Sequence, residues 1–280
     1  MERNDHKQSK LKQLYFLHIP KTAGKYVSEN VKRSLDDNDL SYYVSTHHPN
    51  NNNFANKVYT SIHAGRYPID VVPDIDVATI IRNPVEARVS YFNFLHNRAL
   101  FSREEYLALE SPIDKLRYYL FEDPNFKLHN NYQSRFICNS ADSRSFSPLD
   151  FYTNHYEDMM APFLKRGEAF SWFIDNTNTS KENALDAVKD FKIVNSLDRI
   201  DLFEKNINSW FQDNYNIEVQ FDKDKIVNAG VFNYGNEEGI TTKYLISLLS
   251  QSEIDLILKN NDIDCFIYNY VKDNETVELR

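Results

Sequence analysis

LYFLHIPKTAGKYVSENVKRSL, residues 14–35, decides how the fold begins. Leu14–Ile19 is a short apolar run rich in aromatics, the pattern of a buried strand. Pro20 ends it, because proline has no N–H for a sheet ladder. Lys21–Gly24 is a tight loop of small and polar residues. Tyr26, Val27, Val31 and Leu35 then recur at helical spacing, so Lys25–Leu35 is predicted to be an amphipathic helix. The chain thus opens with a strand–loop–helix unit.

Further strands are predicted at Tyr42–Ser45, Val58–Ile62 and Asp76–Ile81 (DVATII). After the last comes Arg82-Asn83-Pro84, with proline where a helix can start, then a helix over Val85–Asn97. Strands alternating with helices predict an α/β fold with a central, mostly parallel sheet flanked by helices on both faces. Helices are expected over Arg103–Leu109, Ile113–Phe121, Asn131–Cys138, Glu182–Phe191, Asp198–Asn214, Thr242–Leu249 and Ser252–Tyr270, and a short strand over Lys192–Asn195. Phe170–Ser180 fits neither pattern clearly. The asparagine run Asn50–Asn53 suits a surface loop. Residues 1–12 are expected to be a flexible leader and 13–280 a single domain.

Of the 280 residues, 41% are hydrophobic and 26% charged, ordinary values for a water-exposed globular chain. A net charge of −9 argues against general nucleic-acid binding, which needs a broad basic face. It leaves room for a local anion site built from a few cations and N–H groups. Two cysteines are too few for a disulfide framework, and neither sits at metal-ligand spacing. The N-terminus lacks a secretory h-region, and no run approaches the roughly 20 apolar residues of a membrane helix. A cytoplasmic protein without a membrane span is the expectation.

Two constellations carry chemistry. In the first, a strand delivers Lys21-Thr22-Ala23-Gly24-Lys25-Tyr26 to a helix start, where free N–H groups and the helix dipole favour an anion. Lys21 adds a charge, Thr22 a hydroxyl, and Gly24 permits close backbone approach. The alternative is an ordinary strand-to-helix turn with a surface lysine. In the second, Arg82 leaves the C-terminal edge of a strand, where open α/β sheets bind ligands, and Ser90 follows two helical turns on. An arginine fork and a hydroxyl can hold a second phosphate. The alternative is an Arg82–Glu86 pair and a serine on a polar face. A nucleotide kinase P-loop would need G-x-x-x-x-G-K-[ST]. Here Ile19 stands in place of the first glycine and Tyr26 in place of the Mg²⁺-binding Ser/Thr.

Taken together, Tyr15–Gly24 (YFLHIPKTAG) resembles the 5'-phosphosulfate loop of Golgi-type carbohydrate sulfotransferases. Ile80–Leu95 (IIRNPVEARVSYFNFL) resembles their 3'-phosphate motif, R-[DN]-P-x-x-R-x-x-S-x-Y, with Arg82, Asn83, Pro84 and Ser90 in register and Arg88 and Tyr91 each one position away. The heparan sulfate 2-O-sulfotransferase group and its bacterial relatives are the nearest in pattern. Asn131–Asn139 and Lys192–Phe211 resemble later segments of that group less specifically.

The resemblance implies a P-loop-like three-layer fold. It implies 3'-phosphoadenylyl sulfate (PAPS) as donor substrate, 3',5'-ADP (PAP) as product and no metal. By position, Lys21, Thr22, Ala23, Gly24, Lys25 and Tyr26 would surround the 5'-phosphosulfate, and Arg82 and Ser90 the 3'-phosphate. Relatives usually carry Thr or Ser after the glycine, where this chain has Lys25. His63 stands where relatives keep a base, and imidazole suits proton removal from an alcohol; His47 and His48 are rivals. Lys21 would assist catalysis at the leaving phosphate. Arg66 and Arg135 are candidates for the acceptor, or a solvated arginine and a structural ion pair. The partner would be a hydroxyl acceptor, a glycan or a small alcohol. A nucleotide kinase and an inactive nucleotide-binding homologue stay open as alternatives.

Overall fold

The computed structural model describes residues 11–45, 54, 56–63, 65–72, 74–97, 104–122, 130–139, 178–222 and 241–275. His47, His48, Asn50–Asn53, residues 1–10 and residues 170–177 fall outside this set.

Five short strands form one sheet: β1 (Leu14–Leu17), β2 (Tyr42–Ser45), β3 (Tyr59–Ile62), β4 (Asp76–Ile81) and β5 (Ile193–Ser196). Their order is β2-β3-β1-β4-β5, and every pairing is parallel. The helices are α1 (Gly24–Asp36), α2 (Tyr67–Val71), α3 (Pro84–Asn97), α4 (Glu104–Leu107), α5 (Pro112–Arg117), α6 (Tyr132–Cys138), α7 (Lys181–Asp190), α8 (Ile200–Tyr215), α9 (Thr242–Ser247), α10 (Gln251–Asn260) and α11 (Asp262–Asn274).

The two-residue period of the strands sorts their side chains into two cores. Leu14, Phe16, Ala78, Ile80 and Ile193 pack with Val27 and Val31 of α1 and Phe203 and Phe211 of α8. Tyr15, Leu17, Val77 and Ile81 face the other way, onto α6, α7 and α11. This is a three-layer α/β arrangement with the sheet in the middle. A third apolar cluster joins α3, α5, α9 and α10.

The topology fixes where a ligand can sit. From β1 the chain crosses to β2 on one side of the sheet, and from β4 it leads to β5 on the other. The switch point lies between the adjacent strands β1 and β4, the usual place for a binding crevice beyond the strand ends. The loops after these two strands carry the two sequence constellations.

Two sequence expectations are corrected. Ser252–Tyr270 is two helices, α10 and α11, divided at Asn261. The Asn261 side chain donates to Ile257 O (2.8 Å) and accepts from Asn131 N (2.9 Å), which fixes the break. Tyr118–Glu122 winds as a π-type turn after α5. The short α2, with Pro68 in its first turn, lies in a stretch to which no element had been assigned. Both cysteines are free. No helix among the described residues is long and apolar enough to cross a membrane.

Candidate active site

β1 leads into the loop through a sharp turn in which Ile19 N donates to Leu17 O (3.1 Å). Lys21 (φ 68°) and Ala23 (φ 64°) are then both left-handed. Neither is glycine, so this backbone stores strain, roughly 1–2 kcal/mol per residue. Such strain persists only where the surroundings enforce it, and it clusters at functional loops. Ala23 is the N-cap of α1 and supplies no side-chain cap. The first-turn N–H groups of α1 have no partner within the helix and converge on the end of the loop.

α1 is held firmly behind this loop. Ser28 Oγ lies 2.6 Å from Ser61 Oγ on β3, and the Tyr26 hydroxyl donates to Glu204 Oε1 of α8 (2.7 Å). The side chain of Tyr26 is therefore a strut to α8. Thr22 is fully buried and its hydroxyl donates to Ile19 O (2.8 Å). What Thr22 can offer a ligand is its peptide, not its hydroxyl. The Lys25 ammonium lies on the surface, 3.5 Å from Glu29, so here too the backbone N–H is the part that faces the helix start.

Gly24 is required by its neighbour. A Cβ at this position would lie 1.8 Å from the His18 ring. That ring also packs against His63, centroids 4.0 Å apart with the planes tilted by 33°. The register explains the meeting: Leu17 pairs with Ile62, so His18 and His63 are the next residues along adjacent parallel strands. His63 is buried (2% exposed), whereas His18 is partly exposed. Burial first, then His63 and the Lys21 charge, push the His18 pKa well below its ordinary value.

The second loop is built by a local cap. Asn83 Oδ1 accepts from Val85 N (3.0 Å) and Glu86 N (3.3 Å) and starts α3, with Pro84 at its first position. Arg82 is held between the two loops. Its Nη1 donates to Lys21 O (3.1 Å), and its Nε donates to Glu86 Oε2 (3.2 Å). Asp198, after β5, also feels this guanidinium. Burial pushes the Asp198 pKa up, but bonds from Tyr268 (2.6 Å) and Lys272 (3.2 Å), with the Arg82 charge, bring it below the ordinary value.

Glu86, Ser90 and Phe94 share one face of α3 at four-residue spacing. Arg82 touches the near end of this stripe through Glu86. The Lys21 ammonium sits 4.8 Å from the Phe94 ring centre at the far end. Ser90, 8% exposed, lies between them on the face turned to the Lys21 loop. The structure therefore joins the Lys21–Gly24 loop to Arg82, and Ser90 stands between Glu86 and Phe94 on the helix that both contact.

The remaining sequence candidates sit differently. Arg66 precedes α2, and its N–H donates to Asn139 O (2.9 Å) at the end of α6. Its charge lies near Cys138, whose thiol burial pushes up to about 11. The charge of Arg135 acts on the buried carboxylate of Asp264. Arg88 is buried, with its guanidinium 5.0 Å from the Tyr119 ring centre.

No protein-family model matches the chain, and no curated protein matches it.

Sequence reasoning left two neighbours of the site without a role. His18 stands in the quoted motif, but its contact with His63 depends on strand register. Gln133 reaches Arg82 from 51 residues away, and no local pattern announces it.

Proposed function

We propose that the chain is a sulfotransferase that moves a sulfuryl group from PAPS to a hydroxyl, on a carbohydrate by the resemblance of its motifs. The observation that carries this reading is the 3.1 Å bond from Arg82 Nη1 to Lys21 O, which joins the two anion-seeking loops across β1 and β4. In this reading the loop is a P-loop-like cradle. N–H groups of residues 22–26 take the 5'-phosphosulfate, while Arg82 and Ser90 take the 3'-phosphate. Glu86 holds the Arg82 fork until phosphate arrives, and phosphate is the better bidentate partner.

The reaction needs in-line attack and stabilisation of the leaving group. The acceptor oxygen forms a bond to sulfur as the bond from sulfur to the phosphate bridging oxygen breaks. The hydroxyl proton passes to an imidazole. 3',5'-ADP leaves with negative charge on its 5'-phosphate, opposite Lys21 and the N-terminus of α1, which act as preorganised donors. His63 is the assigned base. The partial exposure of His18 favours a second reading in which His18 meets the hydroxyl and His63 supports it from below.

A kinase reading is weaker on a specific ground. Tyr26 occupies the metal-binding hydroxyl position of a P-loop, and its hydroxyl is engaged by Glu204. The test is transfer from labelled PAPS to a panel of glycans and small alcohols. Product on at least one acceptor is expected, falling on the order of 10²-fold in Lys21→Ala. Binding of 3',5'-ADP without transfer to any acceptor would mark an inactive homologue, and Mg²⁺-dependent ATP turnover a kinase. Single-turnover rates of His63→Ala and His18→Ala separate the two base assignments.

A further inference from the structure

We propose that Gln133 is a positioning residue for the 3'-phosphate arginine, an inference that rests on the nucleotide reading above. Gln133 is 1% exposed. Its Oε1 accepts from Arg82 N (2.8 Å) and its Nε2 donates to Arg82 O (2.9 Å). One side-chain amide thus binds both polar groups of a single residue, as a neighbouring strand would. Arg82 is the first residue beyond β4, where the ladder to β5 has ended at Ile81 and Ser196. The amide carries the hydrogen bonding one residue further and fixes the Arg82 backbone. A fixed backbone limits where the guanidinium can point, and its present direction is toward Lys21.

Gln133 is itself held by a reciprocal cap between two helix starts. Asn131, left-handed at φ 54°, begins α6. Its Oδ1 accepts from Ile263 N (3.0 Å) and Asp264 N (3.2 Å) of α11. In return, the Asp264 carboxylate accepts from Gln133 N (3.2 Å), Ser134 N (2.7 Å) and Ser134 Oγ (2.6 Å). The Tyr132 hydroxyl donates to Pro20 O (3.2 Å), so the same helix start also touches the first loop. The C-terminal helix α11 therefore reaches the candidate site through α6, and the final link is one glutamine amide. A buried, flexible, polar side chain is costly to fix in place. Holding the arginine that bridges both loops gives it a purpose that core filling does not.

The test is calorimetric titration of the full chain with 3',5'-ADP and, separately, with 5'-AMP, which lacks the 3'-phosphate. Wild type is expected to prefer 3',5'-ADP. Gln133→Leu should weaken 3',5'-ADP binding roughly 10- to 100-fold, the scale of a displaced binding group, and leave 5'-AMP within about twofold. Within an Arg82→Ala background the same change should add no further loss. Gln133→Met, close in length but unable to make either hydrogen bond, should weaken 3',5'-ADP as Gln133→Leu does, and it stands in if the leucine variant does not fold. Equal weakening of both ligands, or no weakening of either, overturns the positioning role while the nucleotide reading survives. A wild type that does not distinguish the two ligands overturns that reading and the inference with it.

Discussion

At the scale of single residues, the site depends on close approaches that ordinary side chains would block. Gly24 is glycine because the His18 ring occupies the place of its Cβ. In a helix, glycine is otherwise the poorer choice by about 1 kcal/mol relative to alanine. Gly24→Ala should therefore destabilise the protein by about 1–3 kcal/mol, the usual range for overpacking. In a His18→Ala background the clash is gone, and the same change should be neutral or stabilising. Thermal or denaturant melts of the four proteins measure the coupling, and additive effects would show that His18 does not explain the glycine. Lys21 and Ala23 make a related point. Their left-handed backbone places a lysine and a small residue where a strain-free loop would use glycine. The chemistry of these residues was legible in the sequence because it is local. Their conformation was not, since it follows from the docking of α1 on Ser61 and Glu204.

At the scale of elements, the mutual capping of α6 and α11 is the feature most exposed to test. Asp264 is 1% exposed, and burial pushes its pKa up against the opposing pull of the Ser134 and Gln133 donors and of Arg135. Asp264→Ala strands those donors without a partner. It should cost about 2–4 kcal/mol in a denaturant melt, given about 1–3 kcal/mol for each buried group left unmet. Asp264→Asn keeps one acceptor and should cost less. Equal stability of wild type and Asp264→Ala would mean that the cap contributes nothing. The strands and most helices could be read in advance, since the buried runs LYFL and DVATII and the Asn83-Pro84 cap are local signals. The break at Asn261 could not. The pattern Ser252–Tyr270 is helical throughout, and its interruption is imposed by Asn131, 130 residues away in the chain. The proline-initiated α2 was missed because it is only one turn long.

At the scale of the whole molecule, a parallel sheet with its switch point between β1 and β4 sets two loops side by side. Each loop by itself has an ordinary reading, a turn with a lysine or an arginine paired on its own helix. Their meeting through Arg82 and Lys21 is what favours a ligand with a negative group at each end. In the proposed reading, two cations and a helix start acting locally let a protein of net charge −9 hold an anion. The most direct measurement is a crystal structure of the full chain with 3',5'-ADP. The 5'-phosphate should lie within hydrogen-bonding distance of the backbone N–H groups of residues 22–26, with the 3'-phosphate on the Arg82 guanidinium and Ser90 Oγ. A nucleotide bound elsewhere, or one whose 3'-phosphate makes no contact with Arg82, would contradict the account.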